Sequence, residues 1–146
     1  MGKINWTRVL TGGLLAGLVI NIAEAASGMI YMDEMKSILA AHDLSMSESA
    51  LMMVFWVVYG FILGILAVWL YASIRPRYGA GTKTAVLAGF AFWVIGYFLP
   101  IIGWASIGLF SAWMIIYWMI SGLIEIVVAT LLGAWIYKEE DSASAT

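Results

Sequence analysis

No cysteine occurs in this chain of 146 residues, which excludes disulfides, thiolate metal sites, iron-sulfur clusters and covalently attached c-type haem. Histidine is almost missing too. The single one, His42, stands near Asp33, Glu34 and Asp43, a grouping without ligand spacing such as H-x-x-x-H, so it reads as a solvated polar face and not as a metal site. Charge is scarce: Asp, Glu, Lys and Arg make up 11% of the residues and the net charge is -2, so no basic surface of the size that nucleic acid requires exists. What fills the chain is apolar. Hydrophobic residues reach 64% and the mean hydropathy is +0.98, too high for an ordinary soluble domain, and the expected surroundings are a lipid bilayer.

About twenty helical residues cross the ~30 Å hydrocarbon core. Four stretches meet that length, over residues 9–30, 50–71, 84–102 and 109–137. The fold class is therefore all-α, one transmembrane domain of four helices over residues 1–137, followed by a polar tail over 138–146. Lys3, Arg8 and the interfacial Trp6 precede the first span. A charged start, an apolar run and the small-residue pattern Ala23-Glu24-Ala25 also fit a cleavable leader; continued apolarity past Ala26 and glycines on one helical face favour a retained span. Residues 31–45 carry charges with Met32, Met35, Ile38 and Leu39 at helical spacing, which predicts a short amphipathic helix in the first outer loop. Ser45-Met46-Ser47-Glu48 matches a capping box at the start of the second span. Ser73 to Lys83 reads as a basic loop around Pro76, Gly79 and Gly81, and Pro100 is expected to kink or end the third span before an uncharged turn over residues 103–106.

Small residues define the packing faces. Gly13, Gly17 and Gly28 share an arc of about 80° with Asn21 and Glu24 in the first span; Gly60 and Gly64 form a G-x-x-x-G in the second. Gly89 and Gly96 lie with Ala85, Trp93, Pro100 and Gly103 on one side of the third, while Ser121, Glu125, Ala129 and Gly133 step down one side of the fourth at i+4. Such faces let helix backbones approach closely in lipid. These glycines are not phosphate loops, because they lie inside apolar helices and lack the strand-turn-helix context and the lysine. The strings R-V-L-T-G-G-L-L-A-G and K-T-A-V-L-A-G-F-A suggest two related helical hairpins. Of seven Lys and Arg residues, all but Lys36 flank one side of the spans, which predicts both termini in the cytoplasm.

Glu24 and Glu125 are the ionisable residues deep in the spans. A charge at that depth costs roughly 2.5 to 3.5 kcal/mol on insertion scales, so each needs a partner, a proton or a function. With the first span running outward and the fourth inward, Glu24 falls about 7 Å to one side of the midplane and Glu125 about 3 Å to the other. Each side chain leans toward its own helix N-terminus, so the carboxyls converge, with Asn21 between. Two carboxylates close together in low dielectric do not both stay ionised cheaply; one holds a proton or the pair shares one. The candidate proton or ligand site is thus Glu24, Asn21, Glu125 and Ser121. The plainer reading makes the same groups interhelical glue worth around 1 kcal/mol. Trp56, Trp93 and Trp118 lie deeper than interfacial tryptophans; helix packing accounts for them, and a cavity for a flat apolar ligand such as a quinone or carotenoid is the alternative.

The opening I-N-W-T-R-V-L-T-G-G-L-L-A-G-L-V-I-N-I-A-E, residues 4–24, resembles the start of small bacterial membrane proteins with four predicted spans, a family without an assigned activity. It covers about one-seventh of the chain and implies a bacterial inner-membrane setting. Length, span number and a glutamate in the first span are also similar to the small multidrug resistance transporters at the level of fold. This chain departs from them in a longer first outer loop, a second glutamate in the fourth span and a decided charge bias. The reading is a non-enzymatic integral membrane protein, a structural or accessory subunit that associates with itself or a larger membrane complex and needs no cofactor. The alternative is a proton-coupled transporter of small or cationic solutes, working as a homo-oligomer through Glu24 and Glu125. An enzyme ranks last, since no span offers a nucleophile-base pair or metal triad.

Overall fold

The computed structural model describes residues 3–47 and 49–138. The elements are α1 (Trp6–Ala40), α2 (Ala50–Tyr78), α3 (Thr82–Trp93), a π-helical segment (Val94–Phe98), α4 (Leu99–Ile107) and α5 (Ala112–Ile136). Because α3, the π segment and α4 run on without a break, four helical rods are long and apolar enough to cross a membrane. The protein is an all-helical, multi-pass membrane bundle, with no strand among the described residues. The start of α1, the end of α5 and the α2–α3 turn lie at one end, here the terminal end; the α1–α2 and α4–α5 loops lie at the far end.

The helix limits follow from local chemistry. Asn5, Ser49 and Ser111 each turn an oxygen onto a backbone N–H three residues on, satisfying one of the free donors that open α1, α2 and α5. The start of α2 is therefore capped by Ser49 and not by a box beginning at Ser45; Glu48 lies outside the described residues, as do residues 139–146 of the polar tail. The amphipathic stretch after Tyr31 is helical, but it continues α1 without a break to Ala40. No glycine or proline interrupts residues 29–40, so nothing forces a separate helix. Likewise α2 runs on to Tyr78, taking Arg75, Pro76 and Arg77 into its last turns, although Pro76 has no N–H to give the Ala72 carbonyl. The turn itself is made by Gly79 and Gly81 at φ 85° and 125°.

Pro100 neither ends the third rod nor stops it near residue 102. Immediately before it, the Leu99 N–H reaches back to the Val94 carbonyl, one residue further than in an α-helix. That wide turn relieves the crowding of a proline ring against the preceding turn, and the helix resumes through residues 103–106 to Ile107, ending on Gly108 at φ 71°.

Packing is set by backbone contact at glycines. A Cβ on Gly13 would lie 2.6 Å from the Ile65 Cα, one on Gly17 2.6 Å from the Phe61 Cα, and one on Gly64 2.5 Å from the Gly13 carbonyl oxygen. Gly12 meets the Gly133 carbonyl oxygen at 2.5 Å in the same sense, and Gly89 meets the Val127 Cα at 3.0 Å. The first three clamp α1 to α2, the fourth α1 to α5, the last α3 to α5. Gly60 makes room for the Asn21 amide. Two expected packing glycines stand elsewhere: a Cβ on Gly28 would meet only Met32 of its own helix, and one on Gly96 only Phe92 of its own rod. In the third rod the small-residue face divides at the π segment, with Ala85 and Gly89 buried against α5 while Gly103 faces open space.

Gly64→Leu is expected to lower the yield of folded protein sharply, since overpacking costs about 1–3 kcal/mol and here the obstacle is backbone. Leu18→Ile, on an exposed position of α1, is expected to leave it unchanged. Thermal unfolding in detergent compares the two, and equal melting temperatures would refute the α1–α2 seam.

Candidate functional site

Between the rods, toward the far end, lies a cavity of about 490 Å³, within the size range of small-molecule sites. From α1 it receives Glu24, Ser27, Tyr31 and Met35, all on the face that steps by three or four residues. Trp56 and Tyr59 of α2 form the opposite wall. The third rod contributes Gly96, Tyr97, Pro100, Ile101 and Trp104, so the π segment and the proline shape the site directly. Trp118, Ser121 and Gly122 of α5 close the back, and Phe110 roofs the far end, its ring 6.0 Å from Trp104 and 5.1 Å from Trp118.

Glu24 is the one carboxyl in this lining, and no lysine, arginine or histidine shares it. Among the described residues its carboxyl makes no hydrogen bond and no ion pair. Glu125 differs in every respect. It is only 6% exposed, lies behind the wall, and its Oε1 accepts a hydrogen bond of 3.0 Å from the Tyr97 hydroxyl. Tyr97 thus stands between the two carboxyls, its ring lining the cavity and its hydroxyl turned to Glu125. The ring reaches that position because residue 122 is glycine; a Cβ there would lie 2.5 Å from the Tyr97 Cδ1.

The other expected site residues are placed differently. Asn21 donates through Nδ2 to the Gly17 carbonyl at 2.8 Å and to the Val57 carbonyl of α2 at 3.2 Å, which makes it a clasp between α1 and α2 and not a bridge to Glu125. Ser121 lines the cavity, but its hydroxyl proton is given to the Tyr117 carbonyl of its own helix at 2.7 Å, leaving its oxygen free to accept only. Trp56 and Trp118 belong to the wall; Trp93 does not, and its indole N–H donates to the Met119 carbonyl at 3.1 Å, tying the third rod to α5. His42 takes no part, and no cluster of three potential metal ligands forms among the described residues. Glu34 accepts a hydrogen bond from the Ser111 hydroxyl, joining the extension of α1 to the start of α5.

Tyr97 is the residue that sequence reasoning missed. Its one signal was a hydroxyl at lipid depth, next to no charged neighbour in sequence and 28 positions from its partner. No family model, no curated protein and no solved structure matches this chain.

Tyr97→Phe is expected to destabilise the bundle by about 1–3 kcal/mol, because a buried carboxyl loses its one donor among the described residues. Glu125→Gln keeps an oxygen that accepts from Tyr97, so its loss is expected to be smaller than that. Glu24→Gln, at an unbonded carboxyl, is expected to unfold at the parent temperature. Melting temperatures in one detergent rank the three, and a Glu24→Gln variant less stable than Tyr97→Phe would reverse the assignment of roles.

Proposed function

We propose that this protein is a non-enzymatic, multi-pass protein of a bacterial inner membrane that binds a small solute at Glu24 and exchanges it for a proton, acting as a transporter. The observation that carries this reading is the Glu24 carboxyl, unbonded and accessible in a cavity at membrane depth. In that setting a carboxyl binds either a proton or a cation, and the exchange of one for the other is the elementary step of proton-coupled transport. Both termini face the cytoplasm, following Lys3, Arg8, Arg75, Arg77, Lys83 and Lys138, and the cavity then lies toward the outer leaflet. Four spans enclose one such cavity but not a complete path, which favours a homo-oligomer or a larger membrane complex as the working unit.

A second reading, a structural or accessory subunit, draws on Glu125 and Asn21. Both spend their polar groups on contacts between helices of the same chain, as interhelical glue requires. Under that reading the chain binds a partner protein and moves nothing.

Two measurements follow. Reporters fused after Thr146 and inserted beside His42 are expected to read cytoplasmic and external respectively; the opposite pair of results would invert the topology. Purified protein in vesicles holding a pH-sensitive dye is then given potassium, sodium or quaternary ammonium ions. A change of lumen pH is expected with the parent and with Glu125→Gln, and none with Glu24→Gln. A parent that moves no protons with any of these ions, while co-purifying with a partner in mild detergent, would promote the accessory reading.

A further inference from the structure

We infer that Glu125 is a positioning residue: it engages the Tyr97 hydroxyl and so leaves the Glu24 carboxyl unbonded and open to the cavity. The inference rests on reading Glu24 as the working group of the site, though not on transport.

One donor stands before two acceptors. Tyr97 has a single hydroxyl proton to give, its ring lines the same cavity as Glu24, and the charges of both carboxyls act on it. The proton goes to Glu125 Oε1 at 3.0 Å. Among the described residues Glu24 accepts no hydrogen bond at all. The difference between the two carboxyls is therefore decided at one atom, and Glu125 acts on the cavity without lining it.

The hydroxyl has few other places to go. The buried cluster on which Tyr97 packs, Ala16, Ile20, Val68, Ile126 and Ala129, carries no side-chain acceptor. A phenol left without a partner at this depth keeps the whole cost of its lost hydration, so removal of the Glu125 carboxyl drives it to the next acceptor. Two remain in the lining, Glu24 and the Ser121 oxygen. A bond to a carboxylate is roughly twice as strong as one between neutral groups, which favours Glu24. The ring borders about 490 Å³ of open volume, so the space into which it would turn is cavity and not packed side chain. Once bonded, Glu24 would have an oxygen engaged and a ring beside it, and a solute or a proton would have to displace Tyr97 to reach it.

The test measures how fast dicyclohexylcarbodiimide, a reagent that partitions into lipid, modifies Glu24 of the full chain in nanodiscs, read by mass spectrometry at one pH. The carboxyl adds across a C=N bond, its oxygen to the carbon and its proton to the nitrogen, giving an O-acylisourea. An oxygen that already accepts from Tyr97 attacks more slowly. Glu125→Leu is expected to slow labelling by roughly tenfold, the equivalent of one hydrogen bond to a charged group. Glu125→Gln keeps an acceptor and is expected to stay near the parent rate. Glu125→Leu combined with Tyr97→Phe, which removes the donor as well, is expected to return to the parent rate. That return separates positioning from general damage, because a loosened bundle exposes Glu24 and quickens labelling in both variants.

A parent that does not label at Glu24, a Glu125→Leu variant as fast as the parent, or a double variant as slow as Glu125→Leu would each overturn the inference. Should Glu125→Leu not fold, Glu125→Met takes its place. A measurement that leaves position 125 intact stands beside them: the infrared difference between the parent and Glu24→Gln is expected to show a carboxyl free of hydrogen bonds, and a bonded one would overturn the inference as well. Labelling restored in the double variant, with no change of lumen pH for the parent and any ion, would leave this inference standing and remove transport. Equal labelling and equal lumen pH changes in the parent and Glu125→Leu would do the reverse.

Discussion

Everything in this bundle depends on the contact of bare backbone at the α1 glycines. In lipid, burying an apolar side chain gains little, because the acyl chains are as apolar as the protein, so helices associate through close van der Waals packing. Gly12, Gly13 and Gly17 provide it on two adjacent faces of one helix, holding α5 through Gly133 and α2 through Gly64, Ile65 and Phe61. The resulting trio of α1, α2 and α5 is the fixed part of the molecule. The third rod is attached to it chiefly through α3, with the π segment and α4 touching α5, and the cavity lies where it parts from α2.

The cavity is made by a local departure from helical regularity. Without the π segment, a regular α-helix through Pro100 would leave the Gly96 carbonyl without a donor and force the ring against the turn before it. With it, residues 94–98 spread, Gly96 and Tyr97 turn to the interior, and α4 continues at a distance from α1 and α2. Non-helical or wide-helical backbone at membrane depth is tolerated where protein or a cavity covers it, and here both do. The two glutamates are thereby separated in role. Glu125, facing the well-packed side, is fixed by Tyr97; Glu24, facing the loose side, is not.

Span number, the small-residue rows and the two intramembrane carboxyls were legible in the sequence, because hydropathy and the i+4 repeat are properties of neighbouring residues on one helix. What each row meets was not. Gly13 and Gly28 share a helical face, yet a Cβ on the first would meet Ile65 of α2 and one on the second only Met32 of its own helix. Asn21 and Glu24 also lie three residues apart on a common arc, but Asn21 finds the Val57 carbonyl and Glu24 finds open volume. The Tyr97 contact was hidden for the same reason: it depends on how the third rod is rotated against α5, and that rotation is set by Gly122 and the π segment together. Pro100 was expected to kink or end the third span; the rod instead runs on to Ile107, with the π segment on the N-terminal side of the proline.

The unbroken length of α1 has one more consequence. At 35 residues it measures about 52 Å, well beyond the ~30 Å hydrocarbon core, and it carries both the glycine seam and, about 27 Å from Gly17, the cavity residue Met35. Seam and cavity lining thus lie along one continuous helix. A rocking of about 5° at the seam would displace Met35 by roughly 2 Å, and the Glu34–Ser111 hydrogen bond with the rings of Tyr117 and Trp118 against Tyr31 holds that part of α1 to α5.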